Sequence, residues 1–266
     1  MDVTVLGSGT ALMCEQRRSA SHLIKTKSGT SILLDVGSGA PANLLKAGQD
    51  VYSIDHIAVT HAHGDHIGNL IPLLQGMFVG GIDVTGDGWQ ERRRTKPLYL
   101  HGYYGFSEHY EVLRKIMFPE RAEPYEIKII EYKDAERKFD DITIRGIEVN
   151  HVPQYWSASA FRIEADGKSV VYTGDCGFDE RFVKLAEGAD VGLFEMAVPT
   201  WMYENGARPN HLSAYECGLI AKRAKIKKLV LVHLFDNDST ENITNAVRKN
   251  FDEDLIISKD MELIEV

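Results

Sequence analysis

The sequence predicts an α/β fold of two sheets flanked by helices. Three observations predict it: short apolar strands closed by glycine turns open the chain, a second series of strands fills its middle, and each series gives way to alternating strand and helix patterns.

Taken in order, "MDVTVLGSG", "SHLIKTKSG" and "TSILLDVGSG" are strands of an opening meander, and "APANLLKAG" is a short helix. "IDHIAVTH" is a buried strand, followed by helical spacing of apolar residues in "IGNLIPLLQGMF". From Val79 to Pro97 the periodicity is lost to glycine and charge, which predicts a loop excursion. "KPLYLHG" is a strand, and "GFSEHYEVLRKIMF" a helix with Ser107 near its cap. Four strands follow in series, "YEIKIIEY", "DITIRGIEVNH", "SASAFRIEADG" and "KSVVYTGDC". The remainder alternates: helix "DERFVKLAEG", strand "DVGLFEM", helix "SAYECGLIAKRAK", strand "KKLVLVH", helix "STENITNAVRKNF" and a closing strand "LIISKDMELIEV". No fixed-period repeat appears, and residues 1–266 read as a single domain of a size common among α/β folds.

Hydrophobic residues at 44% and charged residues at 26% supply a sizeable core, which excludes a disordered chain. No basic, apolar leader and no membrane-length apolar window is present, so the expectation is a soluble, cytoplasmic protein. The three cysteines, Cys14, Cys176 and Cys217, are too few and too scattered for a disulfide framework and read as reduced thiols. A net charge of −9 argues against broad binding to nucleic acid, so any polyanion must be met locally.

Chemistry is concentrated in "THAHGDHIGN", residues 60–69, directly after an apolar strand. His61 and His63 are two apart, so on extended backbone their imidazoles project to one side and can share a metal ion. Asp65 and His66 lie in the turn beyond, where adjacent residues diverge and can serve a second ion nearby. Further donors follow other apolar strands: His151 after "ITIRGIEVN", Asp175 after "SVVYTG" and His233 after "KKLVLV". Strand ends of α/β sheets are where ligands collect, because the strand fixes the backbone and the loop frees the side chain.

"HAHGDH" resembles the HxHxDH signature of the metallo-β-lactamase superfamily, whose downstream order of His151, Asp175 in "YTGD" and His233 also matches; Asp35 in "ILLDVGSG" resembles its first acidic motif. The resemblance covers nearly the whole chain and implies a four-layer αβ/βα sandwich with a metal site at the edge between its sheets. It implies that His61, His63 and His151 hold one ion, that Asp65, His66 and His233 hold the other, and that Asp175 bridges both. "GSGTALMCEQRRSASHLI", "NHVPQYWSASAFRIE" and "LFEMAV…NHLSAYECGLIAKRAKIKKLVLVHLF" further resemble ribonuclease Z and its phosphodiesterase relatives, in which a glutamate and a histidine assist proton transfer. The matching residues are Glu195 and His211, which with Asp65 are the catalytic candidates. "HLSA" replaces the usual "HST", "HLFDND" lacks the arginine that commonly follows the last histidine, and no glycine- and proline-rich arm is evident. These departures bear on tRNA processing more than on diester hydrolysis, which depends on the metals.

The implied cofactors are two divalent ions, zinc by resemblance, although the same donors accept manganese or iron. Two zinc ions less Asp65, Asp175 and a bridging hydroxide leave a site near plus one, suited to a singly charged phosphodiester, and bound water acidifies to a pKa of about 7. Asp35 reads as an acceptor behind a ligand histidine, not a ligand. The implied partner is an RNA or tRNA precursor or a small diester, and a homodimer is suggested by resemblance alone. Thioester or lactone hydrolysis is the rival chemistry, since the same motif serves it. His22, His56, His101 and His109 read as structural or surface groups. The basic run Arg92 to Lys96 reads as a phosphate contact or a solvated loop, and Tyr155 and Trp156 as aromatics that stack on a base or cover the metals.

Overall fold

A computed structural model describes the chain except for residues 13, 81, 86, 87, 92, 93, 120–124 and 207–209. Strands β1 (Asp2–Gly7), β2 (Ser21–Lys25) and β3 (Ser31–Leu34) form the opening meander. The chain continues through α1 (Ala40–Lys46), β4 (His56–Val59), the single turn α2 (Gly64–Ile67), α3 (Leu70–Gly80), the hairpin β5 (Ile82–Thr85) and β6 (Gly88–Glu91), β7 (Leu98–Tyr103), α4 (Phe106–Met117) and β8 (Ile127–Tyr132). A second meander, β9 (Ala135–Lys138), β10 (Ile142–Val149), β11 (Ala158–Ala165) and β12 (Lys168–Tyr172), leads to α5 (Glu180–Leu185), β13 (Val191–Met196), α6 (Thr200–Glu204) and α7 (Ala214–Ala224). The chain then forms β14 (Lys228–Leu234), α8 (Thr240–Arg248), β15 (Asp254–Ile257) and β16 (Glu262–Glu265).

Two seven-stranded sheets result, ordered β16-β1-β2-β3-β4-β7-β8 and β15-β14-β13-β12-β11-β10-β9. Each is antiparallel in its meander and parallel where helices intervene, because a parallel return needs a crossover long enough to hold one. Val3, Ile24 and Leu34 of the first sheet pack against Ile144, Phe161, Leu193 and Val230 of the second in one apolar layer. The outer face of the first sheet is covered by Leu44 of α1, Leu73 and Met77 of α3 and Phe106 of α4. That of the second is covered by Phe182 of α5, Ile220 of α7 and Val247 of α8. Helices, sheet, sheet and helices thus make four layers, the metallo-β-lactamase arrangement that the resemblance implies.

Three local expectations are corrected. The excursion from Val79 to Pro97 carries the hairpin of β5 and β6. The four strands expected in series are divided between the sheets, and β9, not foreseen, starts the second meander. "LIISKDMELIEV" breaks into β15 and β16, which belong to different sheets; Met261, with φ of 66°, turns the chain between them. Ser107 lies near the cap of α4, as expected, two residues after the N-cap Gly105, and the carboxylate of Glu131 on β8 accepts from the backbone N–H groups of Gly105 and Ser107.

Candidate metal centre

β3, β4, β10, β12, β13 and β14 all deliver their C-terminal ends to one edge of the sandwich. His61 and His63 leave β4 on extended backbone, and His63 is the residue before α2, with φ of −64° and ψ of 144°. The turn of α2 then carries Asp65 and His66 away from that pair. The His66 carbonyl accepts from the Val36 N–H at 2.6 Å. The chain passes so closely here that a Cβ on Gly37 would lie 2.2 Å from the Asp65 carbonyl oxygen. Asp175 follows Gly174, whose φ of 54° and distance of 2.6 Å between an added Cβ and Thr60 Cβ both require glycine. Glu195 pairs with Val232 and Met196 with Leu234, so His233 is an extra residue bulged from β14, with φ of 54°. Bulges next to functional sites commonly serve to re-aim a side chain in this way.

The structure brings all seven proposed ligands together. Nε2 of His61 and Nε2 of His151 lie 2.9 and 3.2 Å from Nδ1 of His63, and Oδ2 of Asp175 is 3.9 Å from the first two nitrogens. Nε2 of His233 lies 3.4 Å from Nε2 of His66 and 3.2 Å from Oδ2 of Asp65. Oδ1 of Asp175 faces this second group, 3.2 Å from His66 and 3.5 Å from His233. Ligand atoms 2.0–2.2 Å from a tetrahedral ion sit about 3.3–3.6 Å from one another, so these spacings suit two cations sharing Asp175.

Hydrogen bonds behind the donors fix their tautomers. Thr60 Oγ1 donates to Asp35 Oδ2 at 2.9 Å and therefore accepts from Nδ1 of His61 at 3.0 Å. Nδ1 of His151 donates to the Asn210 carbonyl, and Nδ1 of His66 to Asp35 Oδ2 at 2.7 Å. Each ring thereby turns the lone pair of Nε2 toward the centre. Burial, the largest influence, holds His61, His63 and His151 below the usual imidazole range and so neutral, the state in which imidazole binds metal. Asp175 is buried and ionised: burial opposes its charge, but His233 and His66 outweigh it and hold the carboxyl far below its ordinary value. Its Oδ1 is shut off from solvent and faces the ring nitrogens of His66 and His233. A buried carboxylate ringed by imidazole nitrogens is a donor set that fits divalent cations, which would replace the protons as its source of positive charge.

Asp35 is fully buried and accepts from Thr60, Tyr172 and His66, with φ of 55°. Glu195 accepts from the N–H groups of Cys176 and Ala197, and Nδ1 of His211 donates to its Oε1 at 2.8 Å. Burial works against charge on His211, but Glu195 and then Asp175 outweigh it and raise its pKa to about 9.

The remaining expectations resolve individually. Nδ1 of His56 is 2.9 Å from Nε2 of His101, whose Nδ1 meets the Tyr132 hydroxyl, and His109 meets the Tyr103 hydroxyl. His22 is buried against Tyr172 with both nitrogens unpartnered. Arg94 folds inward to the carbonyls of Tyr52, Lys96 and Pro97, while Arg92 and Arg93 lie outside the described residues. Tyr155 is exposed, and the Trp156 ring packs edge-on against His63, 5.5 Å between centroids. Cys176 and Cys217 are buried thiols and Cys14 is half-buried. Thr60, Tyr172 and Asn210 were missed by sequence reasoning: Thr60 adjoins the motif, whereas only the fold brings Tyr172 and Asn210 to it.

A model of the beta-lactamase superfamily domain matches residues 30–234. The chain belongs to the beta-lactamase superfamily. Among curated relatives of this superfamily member, a protein named ribonuclease Z from Ignicoccus hospitalis is 27% identical over 86% of each chain. An uncharacterised protein of Mycobacterium tuberculosis is 25% identical over 94% of this chain and 86% of its own. Among solved structures, the metallo-beta-lactamase fold protein YhfI of Bacillus subtilis superposes with a TM-score of 0.80, at 22% identity over 98% of this chain and 97% of its own. The short form of human tRNase Z superposes with a TM-score of 0.77, at 19% identity over 100% of this chain and 99% of its own, so the fold is the metallo-β-lactamase fold.

Proposed function

We propose that the protein is a binuclear metal-dependent phosphodiesterase, in which His61, His63 and His151 hold one divalent ion, Asp65, His66 and His233 the other, and Asp175 both. The observation that carries this reading is the position of Asp175, one oxygen turned to each group of donors, beside the His211 and Glu195 pair. Relatives named ribonuclease support the choice of a phosphodiester as the bond attacked.

Ions held there would lower the pKa of water and polarise the phosphoryl oxygens. The residues around them supply the rest. Oδ2 of Asp65 faces Nε2 of His233 across the second group of donors, which leaves Oδ1 to orient a water at the cavity floor. His211 holds a proton at neutral pH, and with Nδ1 tied to Glu195 its Nε2 is the group that protonates the departing alkoxide. Asp35 and Asn210 hold ligand imidazoles at fixed angles, so little reorganisation is needed when charge develops.

The test is a comparison of bis(p-nitrophenyl) phosphate, a thioester and a lactone with metal-loaded protein. Faster turnover of the diester is expected, and preference for either acyl substrate would overturn the reading.

A further inference from the structure

We propose that the substrate of this site is a small diester with one planar, apolar ester group, and that Trp201 selects that group. The inference rests on the diester reading above and on the walls of the cavity over the donors. The cavity has a volume of about 740 Å³, within the range that encloses small molecules. Its floor carries Asp65, Asp175, His211 and His233, where a phosphate would be met. Its walls are apolar, with Leu12, Pro199, Trp201, Met202 and Phe235 among them.

None of the described residues lining the cavity is Lys or Arg. One negative charge can be neutralised at the floor, but successive phosphates of a polyanion would find no cation on these walls, and the chain carries a net charge of −9. Trp201 is 54% exposed and Leu12 65% exposed, a large apolar surface left open to water beside the reacting groups. Such surface at a binding groove gains when a ligand covers it. The backbone that carries it is anchored: Trp201 stands at the start of α6, where the Thr200 N–H donates to Asp238 Oδ2 at 2.7 Å. An exposed indole on an anchored backbone beside a phosphate site is a stacking platform for a flat ring. Hydrolysis would add water across one P–O bond and release an alcohol and a phosphomonoester, with the planar group on either product.

Phenyl methylphosphonate and ethyl methylphosphonate each carry one negative charge and differ in the ring. Their inhibition constants are to be measured against bis(p-nitrophenyl) phosphate hydrolysis by metal-loaded wild type and Trp201→Ala; the half-exposed position makes the variant tolerable to the fold. The phenyl ester is expected to bind roughly tenfold tighter to wild type, and the variant to lose most of that gap while binding the ethyl ester within about twofold of wild type. Equal constants in wild type, a gap that survives in the variant, or a higher kcat/KM on a single-stranded RNA oligonucleotide than on the aryl diester would overturn the proposal. Absence of turnover on every diester would instead sink the phosphodiesterase reading, and this inference with it.

Discussion

Nδ1 of His66 donates to Oδ2 of Asp35 at 2.7 Å, with both side chains fully shut off from solvent. This bond turns Nε2 of His66 toward Asp175 and sets the tautomer that can bind metal. Asp35→Asn keeps the volume and removes the charge, so metal affinity should fall about 10- to 100-fold. Chelator competition measures it, and wild-type affinity in the variant would refute the role given to Asp35.

His211 stands beside the metals, with Nδ1 committed to Glu195. Its replacement by alanine should therefore lower kcat by about 10²- to 10⁴-fold while the metal content stays unchanged. The sign of the pH effect follows from its raised pKa of about 9: the proton is present at neutral pH and leaves as pH rises. Wild type should show an alkaline fall in kcat that Glu195→Gln shifts toward lower pH, because the carboxylate that favours the charged imidazole is gone. An unshifted alkaline limb would contradict the pairing.

The Trp156 ring stands perpendicular to that of His63, whose Nδ1 faces His61 and His151. Packing is what holds this imidazole on its outer side, so Trp156→Ala should weaken metal binding while Trp156→Phe retains it. Isothermal titration of metal-stripped protein distinguishes the two, and equal affinities would assign Trp156 to covering alone.

Burial, the largest influence, lowers His56 from 6.5 to about 4, so the fold accommodates its neutral form. That contribution is fully present above about pH 6.5 and is lost as pH falls toward 4; between pH 8 and pH 5 it amounts to about 2 kcal/mol. Urea unfolding of metal-free protein at both pH values should show a smaller loss for His56→Gln than for wild type. Equal losses would place the titration elsewhere.

The donor set was legible because each member follows an apolar strand, and strand ends share an edge once the sheets form. The helices and most strands were legible from periodicity for the same reason: their apolar faces are what the layers bury. The hairpin of β5 and β6 was not, since "GIDVTGDGWQE" has too few apolar residues to separate strand from loop. Nor was the break between β15 and β16, because the turn at Met261 uses a left-handed residue that is not glycine. Tyr172 reaches Asp35 from 137 positions away, and no local pattern announces such a contact. The bulge at His233 was equally silent, since it exists only against the register of β13.

The most direct test of the central claim is a titration of metal-stripped protein with zinc or manganese, following bound ion and diester turnover together. Turnover should rise to a plateau at two ions per chain in wild type and remain near zero in Asp175→Ala, with reduced binding. Full diester turnover by the metal-stripped chain, or undiminished binding and turnover in Asp175→Ala, would contradict it.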